Sequence, residues 1–270
     1  VRAYQDKTGD PFGGICCLPL TARNFATPTI DPYVGKIYRS TGTTGLPTVA
    51  IYTQRDMAAI GTEVARDFWA QGYRPGDKLL DFTGIPFHAA SAATSHAFKN
   101  IGVLLYCEDL QMWESGINLA RMLDVNEMFA PVIPTRPIAE KLEREGKTLK
   151  DYLPHLKVVT QTGELAMPMK EYYFKVFSVP VTDIYGVSEA GFYGGSCIAQ
   201  GDIGKFLHFP EDMFFIEVIE PRSGKTVPYC EFGELVFTNL FYESMAYVRW
   251  HSEDYARVKY DPCVCGYTHM

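Results

Sequence analysis

The sequence predicts an α/β fold: a mostly parallel sheet with helices on both faces, followed by a smaller β-rich subdomain. Three observations predict it. From 48 to 188, short β-branched or apolar runs alternate with longer amphipathic stretches. That alternation builds a parallel sheet covered on both sides. Beyond about Gly195, strand-like runs follow one another with only turns between them. Finally, 47% of the 270 residues are hydrophobic, enough to bury a sizeable core.

Taken in order, strands are predicted over 48–53, 78–82, 101–106, 128–133, 156–160 and 181–185. The clearest helix covers 56–71. Its apolar residues Met57, Ile60, Val64 and Phe68 fall at helical spacing, and Gly72 with Pro75-Gly76 supplies a stop and a turn. The stretches 136–145 and 168–177 read the same way. Later strands are predicted over 213–220, 234–240 and 247–249, with turns at 221–224 and 229–233. The expected division is an α/β core over 1–195 and a β-rich subdomain over 196–270. No repeat or low-complexity stretch interrupts either.

Composition excludes several classes. Lys plus Arg total 25 against 32 for Asp plus Glu, a formal net charge of -7, so no nucleic-acid partner is expected. No apolar run approaches the roughly 20 residues that cross a bilayer, and the N-terminus lacks the apolar core of a secretory signal. Seven cysteines are an odd number at modest density, which argues against a disulfide scaffold. A soluble, cytoplasmic globular protein without a membrane partner is expected, with homodimerisation left open.

The most informative stretch is Tyr38-Arg39-Ser40-Thr41-Gly42-Thr43-Thr44-Gly45-Leu46-Pro47-Thr48. Two glycines let backbone N–H groups turn inward and the hydroxyls add donors, forming a cradle for a polyphosphate. It is not a Walker A loop, because no Lys-Ser/Thr follows the second Gly. An ordinary Ser/Thr/Gly turn is the alternative on composition alone. The order of residues, however, resembles the phosphate loop of the adenylate-forming (acyl-CoA synthetase-like) superfamily, most of all in its phenylacetate–CoA ligase branch. Further similar segments follow in the family's order: Gly163-Glu164, the run from Asp183 to Glu189 (Asp-Ile-Tyr-Gly-Val-Ser-Glu), the run from Leu207 to Asp212, the run from Glu231 to Val236, and the run from Met245 to Asp254. The resemblance covers essentially the whole chain.

The resemblance implies ATP-dependent activation of a small carboxylic acid, aryl or arylacetic or similar. An acyl-adenylate forms, pyrophosphate leaves, and the acyl group passes to coenzyme A. An amide-forming ligase of the same superfamily, or a non-catalytic nucleotide- or acyl-binding module, are the alternatives. Ser40, Thr41, Gly42, Thr43, Thr44 and Gly45 would wrap the phosphates. Glu189 would ligate Mg²⁺, the hard ion that takes carboxylate and phosphate oxygens together. Tyr185 would lie against adenine, with Gly163, Glu164, Asp183, Gly186 and Ser188 around the nucleotide and Asp254 on the ribose hydroxyls. The family pattern has Gly where this chain has Glu253, and Lys where it has Leu46. His88 sits at the gate position, with Phe82, Ile85, Phe87 and Val187 lining an apolar pocket; a core histidine is the other reading of His88. By the same resemblance the chain is a core fragment, lacking the start of the large domain and the C-terminal lid domain.

Cys263-Val264-Cys265-Gly266 is weak metal evidence by itself, since zinc sites more often show two intervening residues. In the phenylacetate branch a comparable tail joins an earlier Cys and His around structural Zn²⁺. The matching positions are Cys197 and His208, with His269 as competing fourth ligand. Cys16, Cys17, Cys107 and Cys230 read as packing cysteines.

Overall fold

β1 (Val34–Arg39) and β2 (Val49–Thr53) form an antiparallel pair with Arg39 opposite Val49. The computed structural model of the chain describes residues 34–39, 49–84, 89–163, 167–187, 191–244 and 247–267. Helix α1 (Gln54–Ala70) starts directly after β2 because Thr53 and Asp56 form a reciprocal capping box. Its residues Met57, Ile60, Val64 and Phe68 are all buried, as their spacing predicts. So are Asp56, Glu63, Asp67 and Gln71 on the adjoining strip of the same helix and its cap.

The central sheet contains β3 (Lys78–Asp81), β4 (Leu104–Cys107), β5 (Glu127–Pro131), β6 (Val158–Thr162), β7 (Val181–Val187) and β8 (Phe192–Gly195). Their spatial order is β4-β3-β5-β6-β7-β8, parallel except for β8, which closes the β7 edge antiparallel. Helices α2 (Ala89–Ile101), α3 (Trp113–Met122), α4 (Val132–Glu145), α5 (Leu149–Tyr152) and α6 (Met167–Phe177) complete the layers. Two cores result. One gathers Phe68, Tyr73, Phe98 and Phe129 with the β1–β2 pair, and the other gathers Leu80, Ile117, Met128, Leu142 and Tyr173. Truncating a buried Phe in such a core costs about 3–5 kcal/mol.

Beyond β8, a separate antiparallel sheet runs β11-β10-β9, from β9 (Phe214–Ile219), β10 (Gly233–Asn239) and β11 (Trp250–Ala256). The mixed α/β class expected from the sequence is therefore observed. Two strands are displaced from their expected positions. The run 101–106 begins inside α2, which Gly102 ends with φ +88, and β4 starts only at Leu104. The run 247–249 is not a strand. Arg249 is left-handed, with φ +51, and extended backbone resumes at Trp250. Buried Tyr247 beside exposed Val248 imitates strand alternation, but the Tyr247 ring is packing edge-on against Trp250 at 4.5 Å. β1 and β8 have no sequence counterpart in the expectation. Among the described residues no helix is long and apolar enough to cross a membrane.

Candidate functional site

Much of the expected site lies outside the described residues: Ser40, Thr41, Gly42, Thr43, Thr44, Gly45, Ile85, Phe87, His88, Glu164, Ser188, Glu189 and the alternative metal ligand His269. The flanks of two of these stretches, 40–48 and 188–190, are described, and they converge. Asp56 accepts the backbone N–H groups of Glu243 at 3.0 Å and Ser244 at 3.3 Å, while the Ser244 hydroxyl donates to Ile51 O at 2.8 Å. These bonds fasten the β1–β2 pair to the 242–244 segment. Tyr242 stands edge-on to Tyr52 with centroids 6.0 Å apart, and its hydroxyl donates to Gly191 O at 2.5 Å. Gly191 has φ +59, and a Cβ there would lie 2.9 Å from Ile60 Cδ1 and 3.0 Å from the Tyr242 ring. Only glycine fits that approach. One buried tyrosine thus ties the strand leaving the Gly/Thr-rich segment to the chain two residues past Glu189.

The second convergence is fully described. β7 is buried through Ile184 and emerges at Tyr185, Gly186 and Val187. This is the carboxyl end of a parallel strand, where open α/β sheets place ligands. Gly163, just past the neighbouring β6, has φ +100 with open space around it. Opposite stands Asp254 on an irregular stretch of β11. Glu234 pairs with Tyr255 but Val236 pairs with His251, so two steps along β10 match four along β11. The excess forms a bulge. Glu253 sits in it with φ +63, at the position where the resembled pattern has Gly. The Ser252 hydroxyl holds the bulge, donating to Leu235 O at 2.7 Å and accepting the Asp254 N–H at 3.1 Å. The bulge aims Asp254 at Tyr185, whose hydroxyl donates to Asp254 Oδ2. Both residues line a cavity of about 630 Å³, together with His208, Phe209, Arg257 and Cys263.

Of the described residues expected at the nucleotide or acyl side, Phe82, Gly163, Asp183, Gly186 and Val187 do not line this cavity, and two of them, Asp183 and Phe82, are buried elsewhere. Asp183 lies earlier on β7 with its carboxylate 2.7 Å from Lys170 Nζ, in a pair buried on both sides. Lys170 also donates to Gly204 O at 2.7 Å. A carboxylate committed to a buried ammonium supports the strand from behind. Phe82 is 1% exposed and belongs to the core beneath α3, where bare Gly116 allows close approach of its ring. Asp183 is inside a strand covered on each face, whereas Phe82, just past the end of β3, turns into the core with Leu80 and Ile117. Phe209 is the residue missing from the expectation. Its ring stands edge-on to Tyr185 at 6.2 Å. Gly194 makes room for it, since a Cβ there would lie 2.3 Å from Phe209 Cδ1. The available signal was its place next to His208.

Cys197, His208, Cys263 and Cys265 come together, with their four ligand atoms all within 4.8 Å of one another. The Sγ atoms of Cys197 and Cys263 are 3.7 Å apart, and Cys265 Sγ is 3.5 Å from His208 Nε2. Tetrahedral zinc, with Zn–S near 2.3 Å and Zn–N near 2.0–2.1 Å, requires edges of about 3.8 and about 3.6 Å. The donor set fits that ion. Burial lowers the His208 pKa, keeping the imidazole in its neutral, ligating form. Burial and then the neighbouring Cys263 and Cys265 push the Cys197 thiol up to about 12. Such a buried sulfur becomes a thiolate only against a cation.

No family model matches the chain. The phenylacetate-coenzyme A ligase of Thermus thermophilus is 29% identical over 248 residues, covering 91% of this chain and 54% of that protein. That of Pseudomonas putida is 31% identical over 245 residues, covering 87% of this chain and 52% of that protein. The chain spans about half the length of the curated relatives it matches. Among solved structures, 2-hydroxyisobutyryl-CoA ligase in complex with 2-HIB-AMP and CoA superposes with TM-score 0.75, over 100% of this chain and 56% of that one, at 18% identity. A long-chain-fatty-acid-CoA ligase from Archaeoglobus fulgidus gives 0.60, over 82% of this chain and 44% of that one, at 19% identity. Those two structures share the fold.

Proposed function

Because this chain is a member of the adenylate-forming superfamily, related in sequence to phenylacetate–coenzyme A ligases, we propose that its protein activates a small carboxylic acid with ATP and passes the acyl group to coenzyme A. The observation that carries this reading is Tyr185 and Asp254 meeting across one cavity, with Gly186 next to Tyr185 on β7 and Gly163 just past the neighbouring β6. Adenine lies on the Tyr185 face. The ribose hydroxyls donate to Asp254, whose carboxylate the Tyr185 hydroxyl already orients. The phosphates are assigned to the amides and hydroxyls of Ser40 to Gly45, in the segment that joins β1 to β2.

In the first half-reaction a carboxylate oxygen of the acid attacks the α-phosphorus. The bond to the β-phosphate oxygen breaks and pyrophosphate departs. The protein's contribution is alignment and charge neutralisation at fixed positions. Glu189 is assigned to Mg²⁺, which would supply neutralisation of phosphate charge. In the second half-reaction the coenzyme A thiolate displaces AMP at the acyl carbon. Ile85, Phe87, His88 and Val187 are assigned to the acyl side, with Phe82 supporting them from the core. Zinc held by Cys197, His208, Cys263 and Cys265 would supply a structural cross-link, since four protein ligands leave no open position. The protein works in the cytoplasm.

Pyrophosphate release by the native protein, measured over a panel of aryl and short acyl acids with and without coenzyme A, tests the reading. Acid-dependent release coupled to thioester formation is expected, and Glu189→Gln is expected to lower it by orders of magnitude. Release without thioester formation would instead favour an amide-forming ligase. No acid-dependent release from any acid would remove the activity.

A further inference from the structure

The metal-ligand cluster and the nucleotide cavity share their walls. His208 and Cys263 line the same cavity as Tyr185 and Asp254. Each of the three segments that bring a ligand also touches the nucleotide side. Cys197 directly continues from β8, whose Gly194 pairs with Tyr185 across the ladder. His208 is locked to that strand by two backbone bonds, His208 N–H to Gly195 O at 2.8 Å and Gly195 N–H to His208 O at 3.2 Å. Its neighbour Phe209 packs on the Tyr185 ring. The third segment leaves the Asp254 bulge and returns as Cys263 and Cys265, closed by the Gly266 N–H donating to Cys263 O at 3.0 Å. Tyr267 then covers the His208 ring with centroids 4.8 Å apart.

Besides the Tyr185–Asp254 hydrogen bond and the Tyr267 ring on His208, the described contacts that join the β8 side to the β11 side of the cavity include two pairs, Cys197 with Cys263 and His208 with Cys265. Sulfur contacts of 3.7 Å without a metal hold little. Four metal–ligand bonds there would fix the distance between the two walls, and with it the position of Asp254 relative to Tyr185.

We propose that Cys197, His208, Cys263 and Cys265 are positioning residues for nucleotide binding: the metal they hold sets the separation of the cavity walls, so metal and nucleotide bind with positive coupling. This rests on the nucleotide and zinc readings above. By linkage, the factor by which metal strengthens nucleotide binding equals the factor by which nucleotide strengthens metal binding. A cluster serving only overall stability does not produce that reciprocity between two folded forms.

The test is calorimetric titration of AMP into the native protein, once zinc-loaded and once stripped by chelator, with circular dichroism to verify that the stripped form is folded. Weakening of AMP binding on stripping is expected, in the roughly 5- to 150-fold range of such couplings. In competition with a chromogenic chelator, saturating AMP should raise zinc affinity by the same factor. If the stripped protein unfolds, cobalt replaces zinc: AMP should then shift the cobalt absorption band and raise cobalt affinity. AMP constants equal in both forms, or a cobalt band and affinity indifferent to AMP, overturn the coupling while leaving the nucleotide reading intact. AMP binding to neither form overturns that reading, and absence of stoichiometric zinc or cobalt binding overturns the metal reading; either takes the coupling with it.

Discussion

β7 and β11 present their site residues by opposite means. Tyr185 stands at the open end of a strand buried on both faces, with β6 on one side and β8 on the other. Asp254 stands on a bulge, between a left-handed glutamate and a loop that ends at two cysteines of the candidate metal cluster. The first position is set by the bulk of the fold. The second is set by a few side-chain bonds and by backbone strain. The difference teaches where the site is stiff and where it can be adjusted: substitutions behind β7 should act on stability, and substitutions around β11 should act on binding.

The largest stability effect is expected behind β7. Lys170→Met leaves Asp183 buried without its cation, a change that costs about 3–5 kcal/mol. Chemical denaturation should show that loss, and a loss below about 1 kcal/mol would mean that the pair does not hold the strand. Next comes the joint at Tyr242. Tyr242→Phe keeps the ring against Tyr52 but removes the donor to Gly191 O. A loss of about 1–3 kcal/mol is expected, with a raised KM for ATP if Gly191 transmits to Glu189; unchanged stability and KM would dissolve that link.

A pH profile probes the face of α1 beneath β8. Burial pushes the Asp67 carboxyl up to about 8, against the opposing pull of Arg66 and the Gly195 N–H. The folded protein therefore keeps the proton where the unfolded chain has lost it. Stability from this group is fully present below the unfolded value of about 3.9 and is lost as pH rises through about 8. Asp67→Asn should flatten the decline of melting temperature between pH 5 and 8 (probe conditions on the order of that interval). Glu127, pushed by burial up to about 9, retains part of the slope. An identical profile in the variant would show Asp67 ionised in the folded state. The smallest effect is expected at the bulge. Glu253→Gly removes the penalty of a left-handed non-glycine residue, offset by glycine's greater freedom when unfolded, for a net gain of about 1 kcal/mol or less. AMP binding should be kept or improved; weakened binding would show that the Glu253 carboxylate itself takes part.

The legible and illegible parts of the sequence divide along the same line. Met57, Ile60, Val64 and Phe68 announced α1, and the apolar runs announced β3, β5, β6 and β7, because burial on a regular element leaves a period. Tyr185, Asp254, Cys197, His208, Cys263 and Cys265 were legible only through resemblance, since no local rule brings together residues so far apart in the chain. Asp183 and Phe82 stand in the resembled motifs yet are buried, Asp183 against Lys170 and Phe82 in the core with Leu80 and Ile117, and a motif does not say how deep a side chain lies. The bulge could not be read, although Glu253 in place of Gly marked its position. Strain of that kind has no period. It depends on Ser252 finding Leu235 O across the sheet.

The dissociation constant of AMP for Asp254→Ala, compared with that of the unaltered protein, decides whether nucleotide lies between Tyr185 and Asp254. Loss of hydrogen bonds to an ionised acceptor predicts binding weaker by roughly tenfold or more, with unchanged melting temperature because Asp254 is exposed. Equal constants for the two proteins would contradict it, and the cavity between Tyr185 and Asp254 would not be where the nucleotide lies.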